Sequence, residues 1–184
     1  EDKESVFLLM ELCSGGELFD RIQDEVHLSE AVARVFALQM LDALAFCHAM
    51  GVVHRDVKPE NFLLETEDSE CLTLKLADFG IATSMKLPQG AADSAEAGHE
   101  GSHVNGSCPY MAPELLTRRW HSIVQDSETR TKSSSRAVLC AGDLWSCGVV
   151  IYVMLSGNLP FGESADAICS GVPADFSGKV WQGG

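Results

Sequence analysis

Three polar side chains that lie close together in the sequence, Asp56, Lys58 and Asn61, are able to do chemistry. Apolar stretches flank them on both sides, so their charges lie near buried chain. A carboxylate can accept the proton of an attacking hydroxyl, an ammonium can neutralise a phosphoryl group in transfer, and an amide oxygen can bind Mg²⁺. The set therefore favours phosphoryl transfer, with a merely charged turn between two strands as the alternative.

The surrounding motif reads H-R-D-x-x-x-x-N, with His54 and Arg55 preceding the aspartate. It resembles the catalytic loop of the protein kinase family. That resemblance implies that Asp56 and Lys58 are catalytic, with Lys58 also contacting ATP. It also implies that Asn61 holds Mg²⁺, and that the histidine and arginine have structural and regulatory roles.

A second motif, Asp78-Phe79-Gly80, follows the first after two short predicted strands. A carboxylate followed by an aromatic and a flexible residue can present Asp78 to Mg²⁺ while Phe79 packs or flips. Three residues recur by chance, but their order behind H-R-D resembles the D-F-G motif of the same family. Asp78 is therefore a predicted ligand of Mg²⁺ and of the cofactor.

The run MELCSGGELFDRI near the start resembles the hinge of the calcium-dependent and calmodulin-regulated kinases. By that resemblance Met10 is the gatekeeper, and the backbones of Glu11 and Cys13 bond the adenine edge. Leu63 falls where the family places the floor of the adenine site. These residues complete the expected ATP site.

By the same resemblance, two acidic residues, Glu17 and Glu60, are expected to face the nucleotide and a basic substrate residue. Glu17 would contact the ribose as well, although a carboxylate at the start of a helix is also favoured by the helix dipole. Both interpretations of Glu17 stay open. Charge complementarity then predicts Arg or Lys upstream of the acceptor hydroxyl in a protein or peptide substrate.

The segment 78–114 is the expected activation segment. Residues 81–105 have no periodicity and are predicted to form a mobile loop. Ser107 matches the hydroxyl residue with which the family ties the catalytic aspartate to the catalytic lysine, and Glu114 ends the A-P-E motif. Pro109 departs from the aromatic residue that is commoner in calcium-dependent kinases.

Arg55 marks the class of kinases in which an anion on this segment orders the catalytic arginine. The hydroxyl residues that could carry a phosphate are Thr83, Ser84, Ser94 and Ser102. Serines are also common in such loops for solvation alone, so each is only a candidate.

Helices and short strands must position these groups. Ser29 can cap a helix that Gly51 ends. Residues 6–12 are predicted to be a buried strand, and 62–64 and 72–76 are two further short strands. The expected buried face of the helix contains Val32, Val35, Phe36, Met40, Leu41, Leu44 and Cys47.

Residues 138–155 are the most apolar part of the chain, and Asp143 lies within them. A membrane span tolerates such a charge poorly, so a buried helix opening at Asp143 is predicted. It resembles the family's D-x-W-S-x-G helix, whose aspartate accepts hydrogen bonds from the catalytic-loop backbone. Residues 118–136 are polar and are predicted to be an inserted surface loop.

The net charge of −14 disfavours nucleic acid or an anionic membrane as a partner and suits a basic peptide. Seven scattered cysteines suggest neither a disulfide framework nor a zinc site. The acidic first residues do not resemble a signal peptide. A cytosolic or nuclear protein with reduced thiols is expected.

The predicted fold class is α+β, mainly the helical large lobe of a protein kinase. Residues 1–13 would hold the last small-lobe strand and the hinge, and 14–184 an incomplete large lobe. The resemblance implies a serine/threonine kinase that uses ATP and Mg²⁺, with any calcium-sensing module elsewhere in a parent chain. The sequence before Val6 contains no G-x-G-x-x-G motif and no V-A-I-K lysine, which position the nucleotide phosphates in the family. The chain alone is therefore expected to be nearly inactive.

Two other classes of function remain as alternatives. The first is a non-catalytic kinase-like scaffold, which the intact Asp56, Lys58, Asn61 and Asp78 argue against. The second is an unrelated helical domain, which would have to contain four kinase-like motifs in the correct order by chance.

Overall fold

The fold combines long helices with very short strands, and the computed structural model describes residues 7–84, 108–116 and 132–182. This arrangement confirms the predicted α+β class. The helices are α1 (Leu18–Glu25), α2 (Glu30–Met50), α3 (Pro113–Leu116), α4 (Lys132–Ser156) and α5 (Ala165–Cys169); the strands are β1 (Val52–Val53), β2 (Phe62–Leu64), β3 (Leu74–Leu76) and β4 (Thr83–Ser84). Single 3₁₀ turns cover Pro59–Asn61, Cys108–Tyr110 and Lys179–Trp181.

The core lies between α2 and α4. Burying each large apolar side chain there contributes roughly 1.5–3 kcal/mol, so this contact stabilises the fold substantially. Val35 and Leu41, which were predicted to face the core, are exposed, because the buried residues of α2 follow a face that starts at Ala33 instead. Fully buried side chains from the two helices are Phe36, Met40, Leu44, Cys147, Val150 and Met154.

The ends of α2 form as the sequence predicts. Ser29 Oγ accepts a hydrogen bond from the Val32 amide at 3.3 Å, which satisfies one of the free amides of the first turn. At the other end Gly51 adopts φ 80°, a left-handed conformation that a residue with a Cβ avoids. The helix therefore stops at a fixed point, and β1 follows directly.

Two small antiparallel pairs surround the H-R-D-x-x-x-x-N motif. In the first, β2 pairs with β3 so that Phe62 lies opposite Leu76 and Leu64 opposite Leu74. The chain at Gly15 runs against β2, with its amide 3.1 Å from the Leu64 carbonyl. A Cβ on Gly15 would lie 2.2 Å from the Thr66 carbonyl oxygen, so this close approach requires glycine.

The second pair joins β1 and β4, with Val53 opposite Thr83 and Val52 opposite Ser84. The predicted loop over residues 81–105 is therefore wrong at its start. The pairing partner β1 lies far away in sequence, which explains why a search for local periodicity misses this strand. Residues 85–105 lie outside the described part of the chain.

The predicted buried strand over residues 6–12 is also wrong. Residues 7–12 form no strand, and the apolar side chains among them are exposed, with Leu9 fully so. A strand needs a neighbour for its amides and carbonyls, and the described residues pair no strand with this segment. The proposed domain boundary at residue 13 stays a prediction.

Helix α4 begins at Lys132, well before Asp143, where the sequence suggested its start. The last part of the predicted inserted loop, 118–136, is therefore helical, and residues 117–131 lie outside the described ranges. The extra turns rest on α2, because Arg136 Nη2 donates a 2.7 Å hydrogen bond to the His48 carbonyl. This contact is between distant residues and leaves no apolar pattern in the sequence.

Both α2 and residues Arg136–Ser156 of α4 are long and apolar enough to cross a membrane. Each contributes fully buried side chains to a core that they share. In α4 the carboxylate of Asp143 also accepts backbone hydrogen bonds from the loop after β1. These contacts are those of core helices, in agreement with the predicted buried helix.

Candidate active site

The start of the 54–61 loop is fixed by hydrogen bonds from its backbone to one carboxylate. Asp143, 2% exposed on α4, accepts hydrogen bonds from the amides of His54 (2.9 Å) and Arg55 (2.8 Å). Arg55 adopts φ 72°, which is unfavourable for a residue with a side chain and has to be held by its surroundings. The carboxylate supplies that restraint and spares two amides from being buried without a partner.

The His54 side chain is fully buried and ties the loop to the D-F-G motif. One ring nitrogen, Nε2, lies 2.9 Å from the Ala77 carbonyl, and the other, Nδ1, lies 3.3 Å from the Asp56 amide. A carbonyl only accepts and an amide only donates, so the ring is neutral with its proton on Nε2. The Phe79 ring meets the imidazole edge-on at 4.8 Å between centroids.

Asp56, Lys58 and Asn61 meet at one carboxylate oxygen. Asp56 Oδ2 lies 2.8 Å from Lys58 Nζ and accepts a 3.0 Å hydrogen bond from Asn61 Nδ2. Asn61 Nδ2 also donates to the Asp56 backbone carbonyl at 2.6 Å. The aspartate is thus oriented from both sides, as a base must be if it is to accept a proton from one direction.

Asp78 follows the end of the β2–β3 pair, beside Asn61. The Ala77 amide donates to the Asn61 carbonyl at 2.8 Å, so the next residue begins next to the asparagine. Asp78 is exposed with φ 56°, and its Oδ1 accepts from the Gly80 amide at 3.1 Å. A carboxylate held open to solvent in this way can take a cation.

The oxygen atoms of Asn61 and Asp78 fit Mg²⁺, which prefers hard oxygen ligands and keeps several from water or phosphate. Because Asn61 uses its Nδ2 for hydrogen bonds, its amide oxygen is the atom left for coordination. Within the described ranges no group of three His, Cys, Asp or Glu side chains forms a metal site. The remaining ligands of a Mg²⁺ ion held by these two residues would be oxygen atoms of water or phosphate.

The predicted adenine-site residues lie along the exposed start of the chain. Met10 is 79% exposed, and the Glu11 carboxylate lies 3.3 Å from Lys75 Nζ. Cys13 and Leu63 are partly buried, and Leu63 bridges to Glu17 where the chain runs beside β2. The structure thus places Leu63 beside Glu17, whereas the Met10 side chain is exposed to solvent.

Glu60 has a buried oxygen, Oε2, without a hydrogen-bond partner in the described part of the chain. Glu60 is also near Tyr110, whose pKa is raised first by burial and second by this negative charge. Helix α1, which begins after Glu17, packs against the Pro59–Asn61 turn. A buried carboxylate oxygen without a partner is a strong attractor for an incoming cation.

The described end of the predicted activation segment rests on α4. Ser146 Oγ donates to the Tyr110 carbonyl at 2.7 Å, while Glu114 is exposed in α3. Pro109 is partly buried in the same 3₁₀ turn as Tyr110. Ser107 lies outside the described residues, so its proposed role as a tie stays a prediction.

Arg55 is exposed, and its Nη1 donates to the Ile81 carbonyl at 3.4 Å. Of the candidate phosphate sites, Thr83 and Ser84 form β4, beside the strand that leads into the 54–61 loop. Ser94 and Ser102 are not among the described residues, so neither can be placed relative to the arginine.

Sequence reasoning missed two polar residues of α2, one that contacts the support of the 54–61 loop and one that fixes β3. His48 Nε2 lies 2.7 Å from Asp143 Oδ2. Gln39 donates to the Leu72 carbonyl at 2.7 Å and accepts from the Leu74 amide at 2.9 Å, fixing β3 to α2. A polar residue inside an otherwise apolar helix is the signal that could have found both.

The seven cysteines are free thiols with different reactivities. Burial raises the pKa of Cys147 to about 11, while hydrogen bonding with Thr73 is the main cause that lowers the pKa of Cys71. The thiolate is the reactive form, so at about pH 8 we expect iodoacetamide to label Cys71 early and Cys147 last. Mass spectrometry of timed digests measures this order, and equal labelling rates in the folded protein would contradict it.

Comparisons with known proteins point in the same direction as the geometry. The sequence model of the protein kinase domain family matches residues 1–173 of this chain. The chain is 38% identical to calcium-dependent protein kinase 33 of Arabidopsis thaliana over 98% of its length, and 39% identical to calcium-dependent protein kinase 1 of Oryza sativa subsp. japonica over 98%. It spans about 30% of the length of each of these two relatives.

Proposed function

Because this chain belongs to the protein kinase family, we propose that it is the catalytic part of a serine/threonine protein kinase. The reaction would transfer the γ-phosphoryl group of ATP to a protein hydroxyl. The observation that carries the proposal is the Asp56 carboxylate, oriented by Lys58 at 2.8 Å and Asn61 at 3.0 Å. The lysine within this loop favours a Ser/Thr hydroxyl over a Tyr hydroxyl as acceptor.

The residues of the site have different tasks in that reaction. Asp56 accepts the proton of the attacking hydroxyl, and Lys58 stabilises the negative charge on the phosphoryl group as it moves. Asn61 and Asp78 would hold the Mg²⁺ that neutralises the nucleotide phosphates. His54 and Asp143 keep the loop backbone in place, so that little rearrangement is needed when substrates bind.

The adenine would lie between the start of the chain and β2. There Leu63 forms the floor, the Glu11 and Cys13 backbones offer hydrogen bonds, and Met10 limits the depth of the pocket. The exposed Met10 and Glu11 fit a surface that another part of a kinase, or the nucleotide, covers.

The substrate would carry Arg or Lys upstream of its acceptor. The buried Glu60 Oε2, which lacks a partner in the described chain, supports this preference, and Glu17 at the start of α1 adds a second carboxylate near the same turn. We expect peptides with upstream Arg to be phosphorylated with a lower KM than matched peptides with upstream Glu. A peptide array that favours acidic upstream residues would contradict the proposal.

The test of activity uses a chimera, because these 184 residues include no glycine loop and no V-A-I-K lysine. In the chimera this chain replaces the matching segment of the Arabidopsis thaliana calcium-dependent protein kinase 33. We expect it to transfer radiolabelled phosphate to a Ser peptide, while the 184-residue polypeptide alone transfers little. A folded but inactive chimera would favour the alternative function, a kinase-like scaffold.

Two properties of the whole protein follow as proposals. A cytosolic or nuclear location agrees with seven free thiols. Regulation by calcium would need a sensing module outside these residues, since no EF-hand loop motif occurs among them.

A further inference from the structure

The early start of α4 has a consequence for the 54–61 loop. The first turns of this helix bring Arg136 against the end of α2, where its Nη2 donates to the His48 carbonyl at 2.7 Å. The His48 side chain in turn lies 2.7 Å from Asp143 Oδ2. Asp143 accepts hydrogen bonds from the backbone amides of His54 and Arg55.

We propose that His48 and Arg136 are positioning residues. They hold the Asp143 carboxylate in the orientation in which it accepts hydrogen bonds from the loop backbone. Asp143 Oδ2 accepts from both the His48 ring and the His54 amide, whereas Oδ1 accepts from the Arg55 amide. Without the histidine, the carboxylate could rotate and lose one of its two backbone donors. His48 therefore acts through Asp143 and touches no reacting atom.

The arrangement is well suited to that task because the histidine is fixed at both ends. Its side chain is 15% exposed, so water competes little for the carboxylate. Its carbonyl accepts from the Gly51 amide at 3.1 Å as well as from Arg136.

The loop is catalytic only under the proposed function, and the inference rests on that function for its meaning in catalysis. Its physical content can be tested without activity, by hydrogen exchange at the His54 and Arg55 amides of the 184-residue chain. Exchange reports whether Asp143 holds these amides. A negative result here would leave the proposed kinase activity untouched.

In the test, His48→Phe removes the donor and keeps the ring, while His48→Gln restores an N–H donor near the position of Nε2. We expect His48→Phe to speed exchange of the two amides by about tenfold or more, because a charge-assisted hydrogen bond is lost. His48→Gln should return exchange to within about threefold of wild type. The amides of the buried Met40, in the middle of α2, and the buried Met154, in the last turn of α4, serve as internal references.

Arg136→Ala is the second variant, and it should fold because Arg136 is exposed. It should speed exchange of the same amides by a smaller factor, about threefold, since the Gly51 amide still holds the His48 carbonyl. The matched control is Arg34→Ala, which removes a different exposed arginine, on α2. It should leave the exchange rates of the His54 and Arg55 amides unchanged.

Three outcomes would overturn the inference. His48→Phe could leave the His54 and Arg55 amides as slow as in wild type. It could speed the Met40 and Met154 amides equally, which would indicate a general loss of stability. His48→Gln could also exchange as fast as the phenylalanine variant.

Discussion

Replacing Asp56 by Asn in the chimera should lower kcat by about 10²–10⁴-fold and change the KM for ATP little. The asparagine keeps the size of the side chain and can still contact Lys58 and Asn61, but it cannot accept the proton of the attacking hydroxyl. Asp56 is oriented from two sides, so the loss falls on the transition state and not on nucleotide binding. A radiolabel transfer assay at saturating peptide measures the effect.

The matched control is Asp42→Asn at an exposed position on α2, which removes one negative charge from the same chain. We expect this variant to keep the activity of the chimera. If Asp56→Asn retained more than about a tenth of the unmodified rate, Asp56 would not be the base.

The parts of the fold that depend on neighbours in sequence could be predicted. Ser29 and Gly51 delimit α2 through contacts that lie within one helical turn, and the cap and stop signals are visible in the residues themselves. The pairing of β2 with β3 is similarly local. Motif order predicted the contact between Asp143 and the loop, although these residues are far apart in the chain.

The parts that depend on distant contacts could not be predicted. The pairing of β4 with β1 is invisible in a segment with no alternation, and the missing strand over residues 7–12 reflects the lack of a paired neighbour in the described structure. Helix α4 extends to Lys132 through a contact of Arg136 with a carbonyl on another helix. Such contacts have no periodicity, so the extension of α4 could not be read from local pattern. The polar His48 inside an apolar helix signals that the residue has a partner, but the pattern does not identify Asp143 as that partner.

Replacing Asp143 by Ala should lower the free energy of unfolding of the 184-residue chain by about 3–5 kcal/mol. Two backbone amides and the His48 ring lose their acceptor in a buried site, and each unpaired donor costs about 1–3 kcal/mol. A typical domain has only about 5–15 kcal/mol of stability, so the variant should unfold at much lower urea. Urea titration followed by circular dichroism measures the shift of the midpoint.

Asp143→Asn distinguishes a need for acceptors from a need for bulk. The amide has one oxygen, and its Nδ2 would point a donor at groups that are themselves donors, so we expect nearly the same loss as with alanine. Asp166→Ala, at an exposed residue of α5, should change the midpoint little. If Asp143→Asn were as stable as the unmodified chain, one acceptor would suffice, and the three-donor arrangement could not be what holds the 54–61 loop.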